Sequence, residues 1–386
     1  MWPKLGTFGD VYTTYTTFVK KHYGDHVTVV FDGYTANNVS TKVVERQRRL
    51  MKRTSKEILF NENTILTDSQ RQFLSNLINK ERFISQLVCN FKTAGIRTFT
   101  ATDDADVHIV RTAIDIHEKN KKQDVVVGQD VDLLVLLIAL TPDAMDIRML
   151  KKGNSIVKDK FYSTKDLQNS DLVTDCKKSI LFIHAFSGCD TTSAFYGKGK
   201  LQALQLIKSN TDLQDIPDVF NNPYSKYDDI ERAGERFIKA LYSNTKNEES
   251  NLNAMRYICF NKLVSQASAA VVLSKLPPTI EAARQHSRRT FYQVQTWRGN
   301  SLKPSDWGWK LINKSLVPIY TTKGPAPEKI VSLIACGCNK GCGKRCKCAQ
   351  TNLRCTTMCK NCRGQSCSNA ETIDISDEED EGNNFL

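Results

Sequence analysis

Short runs of β-branched and aromatic residues alternate with longer amphipathic, charge-rich stretches between residue 1 and about residue 205. This alternation is typical of strands connected by crossover helices, so it predicts an α/β fold with a parallel sheet flanked by helices. A helix is expected over residues 9–21, and residues 133–140 are expected to be either a helix or an extended core segment. The expected strands are residues 27–31, 96–100, 125–127 and 180–186.

Aspartates follow all four expected strands. They are Asp32 after the first, Asp104 and Asp106 after the second, Asp130 and Asp132 after the third, and Asp190 after the fourth. Because the carboxyl ends of parallel strands share one edge of a sheet, the six side chains are expected to converge there. Carboxylates gathered closely repel one another unless cations separate them, which predicts Mg²⁺ or Mn²⁺ bound by oxygen ligands.

Two such ions would activate a water molecule and stabilise the leaving oxygen of a phosphodiester. Helix capping is the alternative, because an aspartate after a strand often caps the helix that follows. For any one of the six residues, capping explains the sequence as well as ligation does. The recurrence at four strand ends favours a metal site.

Four segments resemble, in order, the motifs of the PIN-like nuclease domain of the flap endonuclease and XPG group. They are Phe-Asp-Gly at 31–33, Asp-Ala-Asp at 104–106, Gln-Asp-Val-Asp at 129–132 and Phe-Ser-Gly-Cys-Asp at 186–190. The resemblance implies a PIN-like sheet, the six aspartates as metal ligands, and Arg46 at the scissile phosphate. The family's companion lysine position holds Val39 here, and Lys42, one helical turn before Arg46, is the expected substitute. The family also has an earlier strand with a further aspartate, and no apolar run precedes residue 9 here. Truncation, supply of the strand by another chain, or loss of activity would each account for this difference.

A glycine-rich turn, Tyr-Gly-Lys-Gly-Lys at 196–200, precedes an apolar run at 201–207. It resembles the helix–two-turn–helix element of the same family, which implies that Lys198 and Lys200 contact duplex DNA. A plain solvent-exposed loop is the alternative. The basic stretch 42–56 is expected to be a helix that faces either the substrate strand or solvent.

Nine of the thirteen cysteines lie between residues 336 and 367. Three tetrahedral zinc ions need twelve sulfur positions, which nine thiolates supply if three of them bridge two ions. A disulfide network fits less well, because the number is odd and Cys-x-Cys pairs are too close to bridge easily. The expected ligands are Cys336, Cys338, Cys342, Cys346, Cys348, Cys355, Cys359, Cys362 and Cys367.

The cysteine spacing, with its closing Cys-Ser-Asn at 367–369, resembles the tesmin-type CXC domain. That resemblance implies three zinc ions and contact with DNA. Seven basic and no acidic residues lie between the first and last cysteines, which suits phosphate contact, although a solvated basic surface is the alternative. The residues chosen as DNA contacts here are Lys340, Lys344, Arg345 and Lys347.

The 386 residues carry a net charge of +12, which makes nucleic acid the expected partner. No membrane segment is expected, since the longest apolar run, 133–140, is far shorter than the roughly 20 residues that span a bilayer. The expected domains are a PIN-like nuclease domain lacking the first family strand at 1–215, a helical extension at 216–299, a linker at 300–332, the CXC zinc domain at 333–369 and a disordered acidic tail at 370–386.

The tail contains Ile-Asp-Ile-Ser at 373–376 followed by acidic residues, which resembles a SUMO-interacting motif; a solubilising role is the alternative. Together these patterns predict a nuclear DNA-binding protein with a metal-dependent phosphodiesterase domain and a Zn₃Cys₉ module. The rival prediction, from a different class, is a catalytically inactive, zinc-dependent DNA-binding or chromatin-associated protein.

Overall fold

A computed structural model describes most of the chain, in two compact units, Met1–Thr321 and Thr322–Leu386. Arg46, Asp104, Lys340, most of the basic stretch 42–56 and the acidic tail lie outside the described residues. The described residues are 2–3, 6–33, 41–42, 55–101, 105–120, 124–153, 157–174, 176–242, 251–266, 272–312, 315–323, 335–339, 341–351, 353–356, 358–364 and 367–369.

The strands are β1 Thr28–Phe31, β2 Arg97–Thr100, β3 Val125–Val127, β4 Arg148–Lys151, β5 Lys160–Ser163, β6 Trp309–Ile312 and β7 Ser315–Pro318. The helices are α1 Phe8–Tyr23, α2 Gln70–Phe73, α3 Leu77–Thr93, α4 Ala105–Asn120, α5 Val131–Leu140, α6 Thr164–Gln168, α7 Asp171–Thr174, α8 Ile180–Phe186, α9 Lys200–Ser209, α10 Ile216–Asn221, α11 Tyr227–Tyr242, α12 Leu252–Gln266, α13 Ile280–Arg298 and α14 Lys347–Gln350.

The first unit is a mixed α/β structure with small sheets. Strand β1 pairs in parallel with β2, and β3 pairs in parallel with β4, whose other neighbour, β5, is antiparallel. The two sheets are separate over the described residues, and a cavity of about 790 Å³ lies between β1 and β3. The parallel pairing is therefore as expected, whereas the single continuous sheet is not observed.

Residues 180–186 form helix α8, so the prediction of a fourth strand is wrong. The amide of Ile183 donates to the carbonyl of Ser179, and the amide of Ser187 donates to that of Ile183. Every residue of the helix after Ile180 is buried. A short segment that is apolar on all sides has the same pattern as a buried strand, and periodicity cannot separate the two. Segment 133–140, left open by the sequence, also lies in a helix, α5.

Helix α8 contributes to two hydrophobic clusters: Phe182 and Phe186 pack with residues of α11 and α13 in one, and Leu181 and Ala185 belong to the other. Phe182 and Phe186 each place their ring centroids 5.1 Å from that of Phe237, and Phe291 is also fully buried there. His286 on α13 donates its Nε2 proton to the carbonyl of Phe186, and burial lowers the pKa of this histidine to about 3. The helix is thus held rigidly by aromatic packing on one side of the site described below.

Residues 300–321, expected to be part of a linker, include the antiparallel hairpin β6–β7 and belong to the first unit. Trp309 at the start of the hairpin is buried. Arg289 on α13 donates to the carbonyls of Gly308 and Ile319, and burial lowers its pKa to about 10. The hairpin is therefore attached to α13 rather than extended away from it. No helix among the described residues has the length and apolarity needed to cross a membrane.

We expect Gly234→Ala to destabilise the first unit. A Cβ on this residue of α11 would lie 2.8 Å from the Cβ of Ser287 on α13 and would overlap the Ser287 hydroxyl. In an exposed helix the same change stabilises by about 1 kcal/mol, but overpacking costs about 1–3 kcal/mol. Urea denaturation followed by the fluorescence of the four tryptophans, all before residue 322, should show a lower free energy of unfolding.

Gly199→Ala is the matched control, because its Cβ would meet open space at a negative φ. Because Gly199 is the N-cap of α9, where alanine is less favourable than glycine, this change should lower the free energy of unfolding by less than about 1 kcal/mol. A Gly234→Ala protein as stable as Gly199→Ala would contradict the close approach of α11 and α13.

Candidate functional site

Three of the six predicted aspartates, Asp106, Asp132 and Asp190, line one small pocket, called here the acidic pocket. Asp106 lies in the first turn of α4, after β2, and Asp132 lies in the first turn of α5, after β3. Asp190 reaches the pocket from the turn that follows α8. The other residues lining the pocket are Lys42, Leu136, Cys189, Thr191, Gln293 and Trp297.

Asp132 is the most buried of the acidic groups with a shifted pKa. Burial alone would raise the pKa of its carboxyl group, but contact with His184 and the charges of Lys200 and Lys42 hold the pKa below its usual range. The Nε2 atom of His184 lies 3.1 Å from Oδ1 of Asp132. Asp132 is consequently ionised at neutral pH and available to a cation.

Lys42, predicted as a DNA contact, lies in the acidic pocket. Its ammonium group is 3.4 Å from Oδ2 of Asp190, and its side chain is only 18% exposed. The pocket has a free volume of about 10 Å³, close to what one water molecule needs. In this state a lysine side chain supplies part of the positive charge that the carboxylates require.

The remaining predicted aspartates are placed differently. The Oδ1 atom of Asp130 accepts a hydrogen bond from the amide of Asp132 at 3.1 Å, so Asp130 is the N-cap of α5, as the capping alternative predicts. Asp32 is exposed after β1 and is not among the residues that line the pocket. Asp104 and Arg46 lie outside the described residues, so their proposed roles stay predictions.

The three carboxylates of the acidic pocket lie near one another, but their oxygen atoms are not all within 4.8 Å, the spacing used here for ligands of one metal ion. Among the described residues, every group of three or more side chains whose ligand atoms all lie within 4.8 Å of one another consists of cysteines. The oxygen donors suit Mg²⁺ or Mn²⁺ in chemical type. A cation bound by all three aspartates would require the carboxylates to move closer together and the Lys42 ammonium to be displaced.

The glycine-rich turn lies beside the same pocket. Gly197 has a φ of 67°, a conformation that glycine adopts readily, and helix α9 begins at Lys200 and includes the apolar run 201–207. Lys200 donates to the carbonyl of Gly188 at 2.8 Å, two residues before Asp190. Lys198 lies over the ring of Tyr242, with its nitrogen 5.3 Å from the centroid.

No sequence motif marks the residues that line or support the acidic pocket from α8 and α13. His184 lies within the segment that was expected to be a strand. Gln293 accepts a hydrogen bond from the Thr191 hydroxyl at 2.7 Å, and the Trp297 ring lies 5.4 Å from the His184 ring. Gln293 and Trp297 lie about a hundred residues after Thr191 along the chain, in a region without a motif. No sequence signal therefore pointed to them.

The second unit contains a cysteine cluster that could bind metal ions. All nine predicted ligands lie in one cluster, seven of them buried and Cys338 and Cys367 partly buried. Its sulfur–sulfur distances include 3.6 Å between Cys336 and Cys342 and 3.7 Å between Cys348 and Cys359. Two sulfurs bound to one tetrahedral zinc ion are about 3.8 Å apart.

Three overlapping groups of four cysteines satisfy the ligand spacing. They are Cys336, Cys346, Cys348 and Cys355; Cys336, Cys338, Cys342 and Cys346; and Cys336, Cys342, Cys355 and Cys362. Cys336 belongs to all three groups. Overlap of this kind is what bridging thiolates would produce, because a bridging sulfur must be near the ligands of two ions.

Backbone amides favour the thiolate form of two of these cysteines. Hydrogen bonding to the Ala349 amide lowers the pKa of Cys346 to about 6, and hydrogen bonding to the Gly364 amide lowers the pKa of Cys362 to about 7. Burial, in contrast, raises the pKa of Cys336 to about 12. A thiolate is the metal-binding form, so a nearby cation would be needed to ionise Cys336 at neutral pH.

Basic side chains surround the cysteine cluster. Lys344, Arg345 and Lys347 are exposed, and Lys347 is the first residue of the short helix α14. Lys340 lies outside the described residues. The described cations are therefore accessible to an anionic partner.

Comparison with known proteins yields no family: no family model matches the chain, and no curated protein matches it. Thirteen chains of solved structures do match. One is described as "Crystal Structure of T5 D15 Protein Co-crystallized with Metal Ions"; it is 15% identical, with a TM-score of 0.36, and the match covers 75% of this chain and 93% of that chain.

We expect Cys336→Ser to remove more metal than the loss of one ordinary ligand would. Because Cys336 belongs to all three groups of sulfur ligands, its loss affects every candidate zinc position. Inductively coupled plasma mass spectrometry should find about three zinc ions per wild-type chain and at least one fewer in the variant.

Cys89→Ser, at an exposed cysteine of α3, is the control and should keep the wild-type zinc content. Full zinc occupancy in Cys336→Ser would show that this thiolate is not a shared ligand.

Proposed function

We propose that this chain is a nuclear DNA-binding protein with two functional parts. The unit Met1–Thr321 is a PIN-like, flap-endonuclease-type phosphodiesterase that uses Mg²⁺ or Mn²⁺, and the cysteine cluster is a CXC module that binds three zinc ions and contacts DNA. The observation that supports the enzymatic part best is the convergence of Asp106, Asp132 and Asp190 in one pocket from three separate segments.

In the proposed reaction, a divalent cation at the acidic pocket would supply Lewis acidity toward a phosphodiester oxygen and toward water. The chain's own residues have separate roles. Asp106, Asp132 and Asp190 provide oxygen ligands, while Lys42, when it moves away from Asp190, provides a positive charge for the scissile phosphate. Lys200 and the turn before it lie next to Asp190, where they would position the backbone of a duplex.

The zinc module is proposed to add affinity rather than chemistry. Its exposed cations, Lys344, Arg345 and Lys347, would contact phosphates, and the segment has too few apolar side chains to fold without its metal. The acidic tail is proposed either to solubilise the chain or to bind SUMO or chromatin partners. The roles proposed for the zinc module and the tail follow from the sequence resemblances to a CXC domain and to a SUMO-interacting motif.

A second candidate function is zinc-dependent DNA or chromatin binding without catalysis. Two observations favour it: the Lys42 ammonium already lies in the acidic pocket, and the described carboxylates do not reach ligand spacing. If the divalent cation cannot displace Lys42, the first unit would be a scaffold, and the zinc module would carry the activity.

We expect the purified, zinc-loaded chain to cleave labelled flap, hairpin or linear DNA in Mg²⁺ or Mn²⁺. The double variant Asp106→Asn/Asp132→Asn should lose at least about 100-fold in rate, because several kcal/mol of charge stabilisation depends on these ligands. Gel assays of product formation give both rates.

Asp171→Asn is the matched control, since this exposed aspartate begins α7 and does not line the pocket. Its cleavage rate should equal that of the wild type. DNA binding without cleavage by any of the proteins, in either metal, would reject the nuclease and favour the second candidate.

We also expect Lys344→Ala/Arg345→Ala/Lys347→Ala to weaken DNA binding and reduce its salt dependence. Each phosphate contact contributes about −0.9 to the slope of log affinity against log salt, so the slope should become less steep by about 2–3. Fluorescence anisotropy titrations at several salt concentrations measure it, with zinc content determined in parallel.

The charge-matched control is Lys20→Ala/Lys21→Ala/Lys119→Ala, which removes three exposed lysines from α1 and α4. An identical reduction in slope for both triple variants would assign the effect to net charge and would argue against a specific surface on the zinc module.

A further inference from the structure

His184 is a buried histidine whose only polar contact described here is with the acidic pocket. Its side chain is 2% exposed, and its Nε2 atom lies 3.1 Å from Oδ1 of Asp132. Within the described part of the chain, neither ring nitrogen has a hydrogen bond of good geometry. Burying a polar ring in this way costs free energy, so packing alone does not explain a histidine at this position.

We propose that His184 is the positioning residue for a divalent cation at the acidic pocket: its Nε2 atom, 3.1 Å from Oδ1 of Asp132, stays in contact with that oxygen and leaves Oδ2 to bind the ion. This inference rests on the proposed function, because it assumes that a cation binds there. His184 does not contact the cation itself.

His184 and Lys42, which both contact aspartates of the acidic pocket, belong to different kinds of segment. His184 is part of α8, which is fixed by aromatic packing, and its ring lies beside that of Trp297 at an interplanar angle of 32°. Lys42 has a long side chain and lies in a turn. A cation that enters the pocket can therefore displace Lys42 from Asp190, whereas His184 keeps its place against Asp132.

The physical role is to orient one ligand. A carboxylate that is free to rotate must lose conformational freedom when it binds a metal ion, and a fixed partner on one oxygen removes much of that cost in advance. Partners of metal ligands typically change metal affinity by about 10–100-fold when they are removed. His184 is such a partner for Asp132, and it lies on α8, the helix that precedes Asp190 in the sequence.

The test is calorimetric titration of the zinc-loaded full chain with Mn²⁺, which requires no substrate. We expect His184→Phe to raise the Mn²⁺ dissociation constant about 10–100-fold. His184→Gln places an N–H group near the position of Nε2 and should keep the constant within a few-fold of the wild type. His184→Asn, whose amide is too short to reach Asp132, should behave like His184→Phe.

His286→Phe is the matched control. His286 is also buried, but it contacts the carbonyl of Phe186 and not the acidic pocket, so its loss should leave Mn²⁺ affinity unchanged. Thermal melting monitored by tryptophan fluorescence checks folding. If His184→Phe melts at a lower temperature than the wild type, the role of His184 is judged from His184→Gln and His184→Asn instead. Equal Mn²⁺ dissociation constants for these two variants would overturn the inference.

The failure of this inference can be distinguished from failure of the proposed function. If Asp132→Asn binds Mn²⁺ as well as the wild type does, or if neither protein binds it, the cation site is rejected. The role of His184 is then rejected as well. Binding that Asp132→Asn abolishes but His184→Phe leaves intact would reject only the positioning role.

Discussion

Electrostatic repulsion among Asp106, Asp132 and Asp190 is the constraint on which the first unit's site depends. Three carboxylates in one pocket are tolerated only where positive charge or protonation balances them. The structure places Lys42 3.4 Å from Asp190 and His184 3.1 Å from Asp132, with Lys200 near enough to influence the Asp132 carboxyl group. Basic side chains therefore already lie against the carboxylates of the pocket, and the proposed divalent ion would add to the positive charge that the lysines supply.

The second unit meets a similar requirement with different chemistry. Its interior consists of sulfur atoms 3.6–3.9 Å apart instead of packed apolar side chains. Thiolates at this density repel one another, and burial raises the pKa of Cys336 to about 12. A bound metal would overcome both effects, and its binding would then supply much of the folding free energy. Hard oxygen donors in one unit and soft sulfur donors in the other would select different ions.

Local patterns predicted much of the fold because they report local physics. Strand β3 occupies residues 125–127 as expected, and α1 covers the whole of the expected 9–21 helix, with a capping box formed by Thr7 and Asp10. The prediction failed at 180–186, where burial on every side removed the periodic signal that separates a helix from a strand. Asp130 illustrates a second ambiguity, because the same aspartate type caps helices and binds metals, and here it caps α5.

The sequence by itself determined which chemical groups the protein has: aspartates after short strands, nine closely spaced cysteines and an excess of basic residues. Only the tertiary structure decided which of the aspartates meet, and it added His184, Gln293 and Trp297 to their surroundings. The physical reason is that spacing along the chain constrains groups within a helix, a strand or a short metal-binding segment. The packing of α8 and α13 around the acidic pocket depends on contacts between residues about a hundred positions apart, and a single sequence contains no local signal for them.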